Sequence, residues 1–196
     1  MNWLAHALLS EDDPQARLGN LCADFVKGRE LNGMSDAFRR GVRRHRLIDS
    51  FTDAHPVCAR SRRCLSERYR HLKGVLVDLF YDHFLARDWQ HHVGPESLEA
   101  FSRSVYADIA VHRHLFAAET LATLDALIAE DWLTLYRTLP GIEAALGRVA
   151  DELHVRTGRH FALQEAISEL VAHEVTLARD FAEFFPQLRE HVMRLG

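Results

Sequence analysis

The sequence predicts an all-α protein, folded as a single compact multi-helix domain over residues 1–196. Glycine and proline occur at wide intervals, and the segments between them repeat their apolar residues with helical rather than alternating periodicity. The chain contains no internal repeats, linkers or low-complexity tracts. A length of 196 residues is sufficient for one domain with a substantial core.

The glycine, proline and capping residues place about eight or nine helices. The predicted helices cover residues 2–9, 16–26, 35–54, 57–69, 75–89, 97–116, 119–136, 141–155 and 161–193. The first ends in a turn containing Pro14, and the second ends before Gly28. Ser35 is a plausible N-cap for the third helix, which Pro56 terminates. The last helix is predicted to kink near Pro186.

Composition excludes several classes of protein. Hydrophobic residues at 47% and charged residues at 27% are typical of an ordinary globular protein. Three cysteines without a CxxC pair argue against a disulfide framework or a zinc knuckle and predict a cytoplasmic location. The first residues lack the basic region of a signal peptide, and no apolar run approaches the roughly 20 residues of a membrane span.

One face of the third predicted helix carries an imidazole and two carboxylates. His45, Asp49 and Asp53 are spaced at i, i+4 and i+8, so they drift by only about 80° around the helix axis. The apolar residues of this helix fall on the opposite side. Such a set of nitrogen and oxygen ligands suits a divalent metal. The alternative is a polar helix surface with a hydrogen bond between His45 and Asp49.

The helix at 75–89 combines apolar residues around its whole circumference with two carboxylates. This pattern predicts a buried central helix. Asp78 and Asp82 are one turn apart on it, and His83 lies about 100° further round. Because burying unpartnered carboxylates costs several kcal/mol each, something must neutralise them. A metal would do so, and so would the plentiful arginines.

Two further polar residues stand in apolar surroundings. Asp24 lies within LCADFV, where it is either part of the metal site, a helix cap, or the partner of Lys27 in a salt bridge. His6 is flanked by leucine and alanine. A lone histidine in such a setting is more often a hydrogen-bonded core residue than a metal ligand.

Positive charge is concentrated in residues 39–73. This block has eleven Lys and Arg residues against three acidic ones, a charge of +8 in a chain of net −4, which leaves −12 for the remainder. Such a field can attract a polyanion, although a charge run is also compatible with a solvated face. Aromatic residues are sparse in the block, so a platform for stacking nucleic acid bases is not evident. An acidic protein or a phosphate-bearing substrate fits better.

Several blocks in order carry a resemblance to a known family. They are MNWLAH at 1–6, RLGNL at 17–21, ADFVKG at 23–28, HRLIDSFTDAHP at 45–56 and DLFYDHFLA at 78–86. Together they resemble the acyl carrier protein phosphodiesterases, also called acyl carrier protein hydrolyases. The resemblance implies a helical fold related to the HD phosphohydrolases. It also implies a requirement for a divalent metal, Mn²⁺ or Mg²⁺, and hydrolysis of holo-acyl carrier protein to the apo-protein and 4′-phosphopantetheine.

The chain departs from ordinary HD enzymes because it has no His-Asp dipeptide, only the reversed Asp82-His83. The metal ligands therefore cannot be copied from that superfamily, and the local patterns provide the assignment. The residues predicted to build the metal or water-activating site are Asp24, His45, Asp49, Asp78 and Asp82. Those predicted to ligate the metal or support its ligands are His6, Asp53, His55 and His83.

Basic side chains of the 39–73 block are predicted to bind an acidic carrier protein and its phosphate. They are Arg39, Arg40, Arg43, Arg44, Arg46, Arg60, Arg62, Arg63 and Lys73. Neither nucleic acid nor a membrane is an expected partner. Two other functions stay open: a metal phosphohydrolase acting on a small nucleotide-like substrate, and a non-catalytic helical protein that binds an acidic partner through residues 39–73.

Overall fold

Helices form nearly all of the regular structure. The computed structural model describes residues 1–26 and 28–194, which contain α-helices and short 3₁₀ turns but no β-strand. The helices are α1 Trp3–Leu8, α2 Pro14–Leu21, α3 Gly28–Asn32, α4 Asp36–Ala54, α5 Pro56–Cys64, α6 Lys73–Arg87, α7 Trp89–Val93, α8 Leu98–Val111, α9 Ala118–Ala129, α10 Trp132–Leu135, α11 Leu139–Thr157 and α12 Ile167–Met193. One contiguous apolar core joins them. The predicted all-α fold class is confirmed.

The ends of α4 are the ones that the sequence predicts. The Ser35 side chain accepts a hydrogen bond from the backbone N–H of Phe38 at 3.1 Å, which satisfies one of the free donors of the first turn. At the other end α5 begins directly at Pro56, whose fixed φ suits the first helical position. Local chemistry therefore determines the length of the helix that carries His45 and Asp49.

Helix α6 is the buried central helix expected from its sequence. Leu76, Leu79 and Phe80 have no exposed surface, and the helix contacts α1, α5, α11 and α12. Its apolar side chains therefore face protein in every direction. Two carboxylates on such a helix must find partners, and the start of α1 supplies them.

Helices α2 and α4 cross in very close contact. A Cβ atom added to Gly19 would lie 2.1 Å from the backbone oxygen of Phe38, and one added to Gly41 would lie 1.9 Å from that of Ala16. Only glycine fits at both points. This close approach brings the C-terminal end of α2 beside the middle of α4, where His45 lies.

Several predicted helices are shorter than expected. The segment predicted as a helix to Val26 stops at Leu21 and continues as a turn. The predicted helix at 57–69 is divided because Leu65 is extended, and a 3₁₀ turn follows over Glu67–Leu72. The predicted helix at 119–136 is broken by Asp131 in the left-handed region, with φ of 49°. These breaks make more helices than the eight or nine predicted.

The C-terminal helix begins later than predicted and runs through its proline. A 3₁₀ turn at Leu163–Ala166 precedes α12, which continues past Pro186 to Met193. In the part of the chain that the structure covers, no helix combines the length and the apolar character needed to cross a lipid bilayer. Cys22, Cys58 and Cys64 are all free, which agrees with the predicted absence of a disulfide framework.

Candidate metal centre

Three side chains from two helices converge at one point. His6 on α1 and His45 and Asp49 on α4 each bring a ligand atom within 4.8 Å of the others. Nε2 of His6 lies 3.1 Å from Oδ1 of Asp49, and Nε2 of His45 lies 3.0 Å from Oδ2 of the same carboxylate. Both imidazoles are buried, whereas the Asp49 side chain is 41% exposed. The two rings therefore form the buried side of the cluster, and the Asp49 carboxylate forms the side that solvent can reach.

The two imidazole rings lie against each other. Their centroids are 4.0 Å apart and their planes are inclined by 20°, so the rings are stacked. His45 and Asp49 share a face because they are one turn apart on α4. His6 reaches them from the last turn of α1. The pairing of His45 with Asp49 was predicted from spacing, whereas the close approach of His6 depends on how α1 packs.

Asn20 on α2 holds the far side of both rings. Its amide oxygen is 2.9 Å from Nδ1 of His6, and its amide nitrogen donates to the backbone oxygen of His6 at 2.8 Å. The backbone oxygen of Asn20 is 2.7 Å from Nδ1 of His45. Because both oxygens can only accept, both Nδ1 atoms must carry the proton. In the neutral rings the Nε2 lone pairs therefore point at Asp49.

Burial and mutual contact shift the pKa values of the cluster. Burial lowers the pKa of His6, against the attraction of the Asp49 carboxylate for the protonated ring. Burial opposes the charge of Asp49, but the His45 and His6 imidazoles beside it outweigh burial and hold the pKa of that carboxyl well below its usual value. Burial would also lower the pKa of His45, yet Asp49 and Asp24 outweigh it and raise that pKa. The cluster therefore combines a carboxylate with a neutral His6.

Two more predicted residues lie at the edge of the cluster. The Asp24 side chain is 85% exposed, with Oδ1 3.7 Å from Nε2 of His45. The Asp78 side chain is 31% exposed and accepts a hydrogen bond from the Met1 amino group at 2.9 Å. That amino group is 4.0 Å from Asp49. Burial opposes its charge, but Asp78 and Asp49 outweigh burial and raise its pKa. The alternative partner considered for Asp24, Lys27, lies outside the described residues.

Asp82 has a different environment from Asp78, although both lie on α6. It is fully buried, and its two oxygens accept hydrogen bonds from the backbone N–H groups of Asn2, Leu4 and Ala5. Burial raises its pKa to about 7, although the Met1 amino group and these N–H groups oppose the shift. Asp82 therefore anchors the first turn of α1, the helix that carries His6.

The other predicted supporting residues bond to other parts of the protein. Nδ1 of His83 donates a hydrogen bond to the backbone oxygen of Tyr136 at 2.8 Å. His55 accepts a hydrogen bond from the N–H of Val57, where it caps α5, and its Nε2 is 3.3 Å from Gln187. Asp53 is 82% exposed and lies 3.8 Å from Arg62. Among described residues, the group with metal-binding geometry contains none of these three.

The nine basic side chains predicted to bind a partner divide into those with internal partners and those without them. Those bound to acidic side chains or backbone oxygens are Arg39, Arg40, Arg44, Arg60, Arg62 and Lys73. Arg43, Arg46 and Arg63 are exposed and form no salt bridge with any described residue. Of the nine predicted side chains, these three leave their charge open to a partner.

Asn20 is the residue of the site that sequence reasoning missed. It lies in the RLGNL block. The only sequence feature that could have indicated its role is a polar amide side chain among the buried residues of a short helix. His6 was expected to be a core histidine more often than a ligand. The structure shows that it is buried and also belongs to the cluster.

The chain is similar to proteins of one known family. Residues 1–188 match the family described as acyl carrier protein phosphodiesterase. The acyl carrier protein phosphodiesterase of Photorhabdus laumondii is 32% identical over 194 residues, which cover 97% of this chain and 94% of that relative. Those of Serratia proteamaculans and Pectobacterium atrosepticum are 32% and 30% identical, and each alignment covers 97% of this chain and 96% of the relative.

No solved structure matches the chain, so its relation to the HD phosphohydrolases stays a prediction. The family match covers α1, α2, α4 and α6, the helices that build the metal centre and its edge. The chain belongs to the acyl carrier protein phosphodiesterase family.

Proposed function

We propose that this protein is a metal-dependent phosphodiesterase that removes 4′-phosphopantetheine from the serine of holo-acyl carrier protein and leaves the apo-protein. The observation that carries this proposal is the convergence of His6, His45 and Asp49 within 4.8 Å of one another. The names of the relatives supply the substrate.

The donor set fits a divalent cation on electrostatic grounds. With both Nδ1 protons directed at Asn20, the neutral rings turn their Nε2 lone pairs toward the oxygens of Asp49 at 3.0 and 3.1 Å. Electron pairs facing each other at that distance repel unless positive charge lies among them. A proton on His45 relieves one contact, but burial keeps His6 neutral. Two imidazoles and a carboxylate form a nitrogen and oxygen set that suits a divalent metal, and the family resemblance implies that this metal is Mn²⁺ or Mg²⁺.

Each residue then has a distinct part in phosphodiester hydrolysis. A divalent cation bound by His6, His45 and Asp49 would polarise a phosphoryl oxygen and acidify an attacking water. Asp24, the most exposed carboxylate beside the cluster, would accept the proton of that water. Asp82 contributes by holding α1, and hence His6, in place.

The exposed arginines offer a docking surface for the carrier protein. Arg43 and Arg46 lie on α4, the helix that carries His45 and Asp49, and Arg63 lies at the end of α5. Carrier proteins of this kind are strongly acidic. Unpaired positive charge on the helix that carries the site and on the helix after it would accelerate encounter with such a partner and orient it. We therefore propose that Arg43, Arg46 and Arg63, of the nine basic residues predicted, make the main contacts with the carrier protein.

One incubation tests the proposal directly. Holo-acyl carrier protein is mixed with the enzyme in Mn²⁺ or in EDTA, and the mass of the carrier protein is measured. We expect the phosphopantetheine mass to be lost in Mn²⁺ and retained in EDTA. Asp49→Asn, which removes the carboxylate charge at the centre of the cluster, should retain it as well.

The same assay separates the two competing functions. Hydrolysis of a free nucleotide at a rate comparable with that of holo-carrier protein would favour a phosphohydrolase for small substrates. Binding of the carrier protein without metal-dependent release of its prosthetic group would favour a non-catalytic binder. Release that is equally fast in EDTA would refute the metal centre.

A further inference from the structure

We propose that Asn20 is the positioning residue of the metal centre, which selects the Nδ1–H tautomer of both histidines and thereby presents both Nε2 atoms as ligands. This inference rests on the proposed function, because it concerns how the cation would be held. Asn20 lies on α2, a helix that supplies no ligand itself.

The orientation of the Asn20 amide is determined by its neighbours. The amide nitrogen donates to the backbone oxygen of His6 at 2.8 Å and to the hydroxyl of Ser10 at 3.0 Å. A carbonyl oxygen cannot donate, so the NH₂ group must face it and the amide oxygen must face Nδ1 of His6 at 2.9 Å. Asn20 has no exposed surface, so water does not replace these contacts.

The residue controls the two rings through different atoms. The side chain holds His6, whereas the backbone oxygen holds His45 at 2.7 Å. A substitution of the side chain therefore removes the partner of His6 and leaves the partner of His45 in place. This asymmetry makes the role of Asn20 measurable, with His45 as an internal reference.

Loss of the side chain would let His6 adopt the competing tautomer. With no acceptor at Nδ1, the proton of His6 is better placed on Nε2, where it donates to Oδ1 of Asp49 across the existing 3.1 Å contact. That hydrogen bond would satisfy the metal-free cluster and occupy the lone pair that a cation needs. Asn20 prevents this by giving the proton a partner on the other side of the ring.

The test measures tautomers and metal affinity in the same variants. The ¹⁵N resonances of His6 and His45 are recorded on metal-free protein and assigned with His6→Gln and His45→Gln. Mn²⁺ affinity is measured by calorimetry. In the unsubstituted protein we expect Nδ1–H on both rings. In Asn20→Ala we expect His6 to shift to Nε2–H, His45 to keep Nδ1–H, and Mn²⁺ to bind about 10- to 100-fold more weakly.

Ser10→Ala is the matched control. It removes the hydroxyl that contacts both the Asn20 amide and the backbone oxygen of His6, but leaves the Nδ1 bond of His6 intact. We expect it to keep both tautomers. Asn20→Leu, of similar volume and without polar atoms, repeats the test if the alanine variant does not fold.

Two results would overturn the inference. One is an unchanged His6 tautomer with unchanged Mn²⁺ affinity in both Asn20 variants. The other is an equal change at His6 and His45, which would indicate general loosening of the helices. Because the tautomers are read without metal or substrate, failure of the carrier protein assay would refute the proposed function and leave this measurement valid.

Discussion

Replacing Gly41 with alanine should damage both the stability of the protein and its metal centre. Gly41 lies where α4 crosses α2, and a Cβ atom there would be 1.9 Å from the backbone oxygen of Ala16 and 2.7 Å from the backbone nitrogen of Asn20. Both obstacles are backbone atoms, so no side-chain rotation relieves the clash. The helices must separate.

The size of the separation follows from the contact distances. Ordinary van der Waals contact begins at 3.4 Å, so α2 must move by roughly 1.5 Å, the difference between 3.4 and 1.9 Å. A movement of that size takes the 2.7 Å bond between Asn20 and His45 beyond hydrogen-bonding distance. Overpacking costs about 1–3 kcal/mol and the lost bond about 1 kcal/mol. We therefore expect Gly41→Ala to lower Tm by roughly 4–16 °C.

Thermal unfolding and Mn²⁺ calorimetry measure the two effects, and Gly74→Ala is the matched control. Gly74 lies near the start of α6, and nothing stands within 4 Å of the position of its Cβ. Alanine there should stabilise the helix by up to about 1 kcal/mol and leave Mn²⁺ affinity unchanged. If Gly41→Ala has the same Tm and the same Mn²⁺ affinity as the unsubstituted protein, the crossing of α2 and α4 does not support the site.

Three further predictions concern chemistry, docking and acid stability. Asp24→Ala should lower turnover of holo-carrier protein by about 10²-fold or more if its carboxylate accepts the proton of water. Charge reversal of both Arg43 and Arg46 to glutamate should raise KM several-fold, and the effect should shrink as salt is added. Burial opposes the charge of Asp180, but hydrogen bonds from Arg60 and a serine outweigh it and lower the pKa of that carboxyl. The Asp180 carboxylate therefore stabilises the folded protein above its unfolded-state pKa of about 4, and this stabilisation is lost as the pH falls through the folded-state pKa. Asp180→Asn should destabilise the protein by about 1.5–3 kcal/mol at neutral pH and by less in acid.

Each of these three has a result that contradicts it. Normal turnover by Asp24→Ala would remove the proposed base. The arginine pair is compared with Arg156→Glu and Arg159→Glu together, which make the same charge change on and just after α11. An equal rise in KM in both pairs would mean that net charge, rather than a docking surface, is responsible. For Asp180, a stability difference from the unsubstituted protein that is the same at about pH 3 and at about pH 7 would contradict the linkage.

The two acidic residues of α6 illustrate where sequence reasoning stops. Asp78 and Asp82 have the same local signature, one turn apart within an apolar helix. In the folded chain, Asp78 is partly exposed beside the cluster, while Asp82 caps the first turn of α1 from a fully buried position. Their different surroundings arise because α1 begins beside α6, a contact between residues about 80 positions apart that helical periodicity does not encode.

Local interactions explain the features that the sequence alone determined. Periodicity predicted the all-α fold and the buried character of α6, and the residues at the ends of α4 predicted its bounds. The pairing of His45 with Asp49 followed from one turn of helix. Each of these depends on residues a few positions apart, whose geometry the helix itself imposes.

Only the tertiary structure decided the rest of the site. His6 and Asn20 come from two other helices. Asn20 meets His45 because the glycines of α2 and α4 allow those helices to cross in backbone contact, and His6 meets it through the packing of α1 against α2 and α6. The same packing separates arginines with internal partners from those open to solvent. A pair of residues on one helix is placed by backbone geometry, whereas a cluster drawn from three helices is placed by the core that packs them together.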